Sequence, residues 1–203
     1  MTAFARTVAI VPALVLAACA QAPAEAPPVT DAAWTVDGEA SQLHYVTVKS
    51  GEIAENNKFT GLSGSVSPAG AATIEIDLAS VETGVDIRDE RMRDVFFEVA
   101  DYPTATVSAQ IDPELFDGMG VGDSVTQPLD ATVTVKGVET AIQTEVSVTR
   151  VSDDRVLAVS TDPVIVYADA LDLTGGLALL QELAGLPSIT PAVPFSFSIA
   201  FER

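Results

Sequence analysis

Apolar and polar positions alternate with a period of two over most of the chain, the spacing that turns one face of a strand inward and the other outward. Thr73–Leu78 is the cleanest case, with Ile74, Ile76 and Leu78 on one face and Thr73, Glu75 and Asp77 on the other, a half-buried antiparallel strand. Gln127–Val135 sets Leu129, Ala131, Val133 and Val135 against Asp130, Thr132 and Thr134. Thr140–Arg150 sets Ile142, Thr144, Val146 and Val148 against Gln143, Glu145 and Ser147, and Lys136-Gly137 between the two predicts a tight hairpin turn. In the last strand Phe195, Phe197, Ile199 and Phe201 alternate with Ser196, Ser198 and Ala200. Trp34–Val48 predicts strand with a turn at Asp37-Gly38. There Leu43, Tyr45 and Thr47 alternate with His44, Val46 and Val48, and both faces are too apolar for periodicity to choose the inward one. Gly51–Lys58 predicts a polar loop, and Phe59–Val66 a short strand whose two glycines fit a bend or bulge. Pro68–Gly70 predicts a turn, Thr104–Ile111 a strand, Pro113–Asp123 a glycine-rich loop, and Val156–Thr161 and Val164–Val166 short strands.

Two segments break the alternation. Thr83–Pro103 predicts a charged helix over about Ile87–Val95, with Asp86 as its N-cap and Ile87, Met92 and Val95 towards the core. Arg88, Arg91 and Arg93 stand on it. The adjacent Phe96 and Phe97 cannot both face one way on a regular element, so one is expected in the core and the other against any cavity. A Tyr102-Pro103 corner follows, and with Phe96-Phe97 it is expected to close one end of a barrel. Leu171–Leu186 predicts a short apolar helix carrying Leu177, Leu180 and Ala184, with glycines at both ends. There is no internal repeat and no second core, so one domain is expected. About eight short strands joined by hairpin turns make an all-β sandwich or closed barrel, and an eight-stranded barrel can hold one small ligand inside.

Composition narrows the function classes. Apolar residues make up 48% of 203, enough for a core. The net charge of −19 excludes the basic surface that nucleic acid needs and argues against electrostatic adhesion to anionic lipid. With one histidine, His44, and one cysteine, Cys19, the chain lacks Ser-His-Asp and Cys-His constellations, a zinc cluster and a calcium loop, so no enzyme, no catalytic residue and no metal is expected. His44 reads as structural. Arg91 reads as an ion-pairing residue on a solvated helix face, and Arg88 as open between that role and contact with a ligand head.

The amino terminus adds an anchor. Val8–Ala18 is apolar and of signal-peptide length, too short to span a bilayer. It ends in Leu16-Ala17-Ala18-Cys19, which resembles the lipobox of bacterial lipoproteins. That resemblance implies a signal over residues 1–18, an acylated Cys19 (diacylglyceryl on sulfur, a fatty acyl group such as palmitate on the amine), and a Pro/Ala-rich tether over residues 19–33. With alanine at position 20 it implies the periplasmic face of the outer membrane. The alternative is an ordinary secretory signal with Cys19 incidental; as the only cysteine, it has no partner for an internal disulfide.

Over Trp34–Arg203 the chain resembles the YceI-like family of bacterial polyisoprenoid-binding proteins. The resemblance is carried by Trp34, Asp37 and Ser41, by Phe59 with Gly64, and by Val81, Thr83-Gly84, Arg88-Asp89, Met92-Arg93, Phe96-Phe97, Tyr102-Pro103 and Ala105, then by Val135-Lys136-Gly137-Val138. It implies an eight-stranded antiparallel lipocalin-like barrel with one or two short helices, enclosing an apolar tunnel that takes an isoprenoid, quinone or other amphiphilic chain. Read alone, the inward rows are those of a filled core. The resemblance makes them tunnel wall or mouth: Leu43, Tyr45, Phe59, Ile74, Ile76, Leu78, Arg88, Phe96, Phe97, Leu129, Val133, Phe195 and Phe197. The chain departs from the family pattern in lacking a histidine after the first long strand, in reading Val166-Tyr167-Ala168-Asp169 where an arginine is usual, and in its Leu171–Leu186 segment. Two function classes follow. One is a lipid-anchored carrier that binds or sequesters an amphiphile at the cell envelope, with no cofactor besides that lipid. The other is an envelope structural or interaction lipoprotein with a filled core.

Overall fold

Among the described residues eleven strands form one antiparallel sheet, and eight of them close on themselves. The computed structural model describes residues 27–203; the signal segment, Cys19 and the first part of the tether lie outside the described residues. The strands are β1 (Trp34–Lys49), β2 (Ile53–Phe59), β3 (Leu62–Val66), β4 (Ala71–Asp77), β5 (Val81–Glu82), β6 (Thr104–Gln110), β7 (Ser124–Val135), β8 (Val138–Arg150), β9 (Arg155–Ser160), β10 (Val164–Tyr167) and β11 (Ala192–Glu202). The ring runs β1-β3-β4-β6-β7-β8-β9-β11 and is shut by β11 pairing back onto β1, from Thr35 opposite Glu202 to Tyr45 opposite Phe195. Closure removes the exposed ladder groups that an open sheet leaves at its edges. The expectation of an eight-stranded lipocalin-like barrel therefore holds, with three further strands.

Those three strands lengthen one end of the barrel. The sixteen residues of β1 outlast its neighbour β3, which pairs only at Trp34 and Thr35; from Leu43 onward the same edge is taken by β2. Between these two stretches the register against β11 shifts from Asp37 to Gln42. Ser41 closes this bulge: its Oγ donates to Asp37 O at 2.7 Å and accepts from Ala200 N at 3.0 Å. β5 covers the far edge of β2, and β10 extends β11 in the same direction. Segment 51–58 is thus not a loop but mostly strand. Its residues carry no alternation, and cross-strand pairing with β1 decides its conformation where propensity does not. Likewise the stretch 59–66 is not one strand; it breaks at Thr60-Gly61 between β2 and β3.

One turn and one close strand approach are written in their residues. Lys136 and Gly137 both have positive φ, 50° and 79°, the pairing that matches the twist of a two-residue hairpin. Gly64, at φ 141°, lies so close to β4 that a Cβ would stand 2.1 Å from Thr73 O. Only glycine lets β3 and β4 approach this way.

The helical elements sit at the extended end. α1 (Asp86–Arg91) continues as a π-helical turn over Met92–Phe97, and α2 (Thr174–Ala184) packs against that turn, with Gly176 facing Phe96. Val85, not Asp86, is the capping residue, and it makes no side-chain cap. Asp89 instead reaches back to Thr83, accepting from its backbone N–H at 2.9 Å and from its hydroxyl. Ile87 points away from the core at 52% exposure, because a helix of under two turns buries only the side packed on the sheet. The opposite end is closed by Val29–Asp31 and Pro113–Phe116, which lie against each other. There Arg150, 1% exposed, donates to Met119 O, Pro27 O and Ser152 O, and Arg203 lies 4.7 Å over the Trp34 ring. Among the described residues no helix is long and apolar enough to cross a membrane.

Candidate functional site

The inward row of each ring strand ends on open space rather than on the row opposite. A cavity of about 550 Å³ runs inside the barrel, from Val29, Pro68 and Phe116 at the closed end to Lys49, Arg91 and Leu186 at the helical end. It falls within the size of small-molecule sites, about 300–1,000 Å³. Its wall is almost wholly hydrocarbon. β4 contributes Ile74 and Ile76, the turn after it Leu78, β6 Ala105 and Val107, β7 Leu129 and Val133, β8 Ile142 and Val146, and β11 Phe195 and Phe197. These are alternate residues of each strand, the ones the pleat directs inward.

Every wall or mouth residue named from the sequence lies on this cavity: Leu43, Tyr45, Phe59, Ile74, Ile76, Leu78, Arg88, Phe96, Phe97, Leu129, Val133, Phe195 and Phe197. Leu78 reaches it from a 3-10 turn over Leu78–Ser80 rather than from the strand. Both phenylalanines of the central segment touch it. Phe97 is buried, Phe96 is half-buried, and the rings meet edge to face at 4.9 Å. The π-helical turn places neighbours on one side that a regular helix would separate. Tyr102, by contrast, is exposed, with Lys136 Nζ 5.7 Å from its ring, so the barrel end is closed by the phenylalanines and α2 rather than by the Tyr102-Pro103 corner. His44 is exposed on the outer face of β1, 3.4 Å from Gln42 Oε1.

Charged side chains of the lining are confined to the helical end, while Thr30, Ser67, Gln127 and Thr144 add single polar groups elsewhere on the wall. Cross-strand pairing of Tyr45 with Asn57 and of Thr47 with Glu55 puts these four side chains on the same face of β1 and β2. Glu55 accepts from Lys49 Nζ at 2.9 Å and from Arg88 Nη1 at 2.7 Å, while Arg88 Nη2 donates to Thr83 O at 2.7 Å. Burial alone would raise the Glu55 carboxyl, but the hydrogen bonds from Lys49 and Arg88 outweigh it and hold the group below the usual glutamate range. Arg88 is thus paired across the fold rather than with its helix neighbours. Arg91 lines the cavity and makes no ion pair among the described residues, contrary to the solvated role expected from the sequence. The sequence marks neither residue: segment 51–58, with Glu55, gives no periodic signal, Lys49 stands at the end of β1, and no motif includes either.

The same place collects unfinished hydrogen bonding. Tyr45 is 5% exposed, its ring 5.4 Å from both Phe59 and Phe195. Burial pushes its phenol far above the ordinary value, so it remains an O–H. Among the described residues, the buried side-chain polar atoms without a partner are Tyr45 Oη, Asn57 Oδ1 and Arg88 Nε. Asn57 Nδ2 donates to Thr47 Oγ1 and to the Glu55 carbonyl, which fixes the amide's orientation. The described residues contain no group of three or more His, Cys, Asp or Glu able to hold a metal.

A closed barrel around an apolar cavity is a lipocalin-like arrangement, and sequence comparison identifies which one. Residues 34–201 match the model of the YceI-like domain. The chain belongs to the YceI-like family. Among solved YceI-like and related structures it is similar to a polyisoprenoid-binding domain from Saccharophagus degradans implicated in plant cell wall breakdown. That domain shares 36% identity at a TM-score of 0.81, over 84% of this chain and 98% of that one. It also shares its fold with BcnA of Burkholderia cenocepacia, at 18% identity and a TM-score of 0.61 over 81% of this chain and 98% of that one. No curated protein shows significant sequence similarity to it.

Proposed function

We propose that this YceI-like protein binds an amphiphilic chain, a polyisoprenoid or quinone-like lipid, inside its barrel and carries or sequesters it at the cell envelope. The observation that carries this reading is the cavity: eight strands direct apolar side chains at open space over the length of the barrel, where a structural protein would fill it. Burial does the binding. Each CH₂ transferred from water contributes about 0.8 kcal/mol, so a long chain needs few polar contacts. Membership of the family and the likeness to a polyisoprenoid-binding domain support the same ligand class.

The anchor belongs to the same proposal. Acylated Cys19 would hold the protein to the periplasmic face of the outer membrane, and the proline-rich tether would set the barrel off the surface. The test is native mass spectrometry of full-length protein purified from its source cells. A lipid-sized adduct released by organic solvent is expected. Protein that carries none, and that takes up no long-chain lipid after delipidation, would sink the reading. For the anchor, Cys19→Ser is expected to move the protein from the membrane fraction to the soluble fraction; retention in the membrane would remove the lipoprotein part alone.

A further inference from the structure

Charge on the cavity wall runs against the composition of the chain. Among the described residues, three of the chain's 10 basic residues line the cavity, Lys49, Arg88 and Arg91, but only one of its 29 acidic residues, Glu55. All four stand at the helical end. Two of the three cations are already answered, since Glu55 accepts from Lys49 at 2.9 Å and from Arg88 at 2.7 Å. Asp89, next to Arg88 but off the lining, is held by Thr83. With Asp89 counted, three cations meet two carboxylates, and the surplus charge is that of Arg91.

Arg91 also differs from its neighbours in being reachable. Its three-residue spacing from Arg88 on α1 sets both on the face that borders the cavity. Among the described residues no carboxylate pairs with it and its side chain makes no hydrogen bond. Its nitrogens are nevertheless absent from the buried polar atoms that lack a partner, which are Tyr45 Oη, Asn57 Oδ1 and Arg88 Nε. On this half-buried residue the guanidinium is therefore accessible, open to a partner from outside the chain. Thr30, Ser67, Gln127 and Thr144 elsewhere on the wall are uncharged and offer it no counter-charge. Tyr167, 53% exposed, lines the same end, so an anion there keeps part of its hydration while an attached chain lies against hydrocarbon.

We propose that Arg91 receives the anionic head of the bound lipid, a phosphate or a carboxylate, and so seats the chain in one direction, head at α1 and tail towards Phe116. This rests on the reading of the barrel as a lipid carrier and adds the charge and direction of its cargo.

The experiment loads delipidated full-length protein from two equimolar mixtures, an isoprenyl phosphate with the matched isoprenol, and an isoprenoid carboxylic acid with its methyl ester. Native mass spectrometry reads the bound ratio of anion to uncharged partner, and comparing wild type with Arg91→Gln cancels the lipids' own solubilities. A charge-assisted contact predicts that the variant lowers the ratio about tenfold or more in at least one mixture, and the mixture that responds tells phosphate from carboxylate. Arg91→Lys, which keeps the charge, should retain most of the preference, and uptake of isoprenol by both variants reports a barrel still folded and hollow. Wild-type protein gives a reading that needs no variant: the ratio should fall when loading is done at high salt. A ratio that Arg91→Gln leaves unmoved in both mixtures, or that salt leaves unmoved in both, would overturn the head site while the uncharged lipids still load and the carrier reading stands. Failure of every lipid to load on wild type would overturn the carrier reading and the head site with it.

Discussion

Glu55 shows how much one side chain can join. Its carboxylate ties Lys49 on its own hairpin to Arg88 on α1, so the extended sheet and the helical cap share one ionic link. Because its folded pKa is depressed, the stabilisation from this link is complete above the ordinary glutamate value of 4.5 and is lost as pH falls through the lower folded value. Asp37, held down by its hydrogen bond from Arg155, behaves the same way from the ordinary aspartate value of 3.8. Denaturant titrations are therefore expected to give level stability from neutral pH down to about 5 and a decline below it. In Glu55→Gln that decline should be shallower. An equal slope in the variant would mean that the carboxylate's pairing contributes nothing to folding.

At the scale of elements, the π-helical turn after α1 is the part most specific to this barrel. It presents Phe97 to Phe59 at 5.9 Å and Phe96 to Gly176 of α2, joining the central segment to the sheet on one side and to the second helix on the other. Phe97→Ala should cost about 3 kcal/mol, the low end for a buried phenylalanine because one face already borders the cavity. In a barrel of this size that lowers Tm by roughly 6–12 °C, measured by thermal denaturation; a shift under two degrees would show that the turn does not hold the cap. Elements were legible in the sequence where one face is wet and the other dry. β4, β7, β8 and β11 alternate because their outer residues meet solvent, and their inner rows name the wall. β2 was not legible, since its inward positions, Glu55 and Asn57, are as polar as its outward ones. The exposure of Ile87 was hidden for a related reason, helical spacing being uninformative over six residues.

For the whole molecule the decisive property is hollowness, and periodicity is blind to it. A row such as Leu129, Ala131, Val133 and Val135 reads the same whether it packs against the opposite wall or against a guest. The sequence resemblance, and then the cavity inside the closed ring, separate the two. The volume is also what a mutation can change most directly. Val133→Phe, placed mid-wall on β7, should shorten the usable tunnel with little loss of stability, since the added ring enters existing space rather than a packed core. Native mass spectrometry across a series of isoprenoid lengths should show the longest chains lost and the shorter ones retained. Unchanged acceptance of the longest would place the guest elsewhere than along β7.

The seam between β1 and β11 carries a consequence for how the barrel comes into being. Ser41 and Ala200, bonded across that seam, are 159 positions apart, and nearly the whole domain lies between them. The loop that must close is the longest the domain allows, and its entropy is lost before the seam's ladder is gained. Until then β1 and β11 both present bare edges, and the apolar wall is open to whatever is near. If the barrel carries a lipid as proposed, closure around a chain already lying in the half-made trough would spare threading one through a finished barrel.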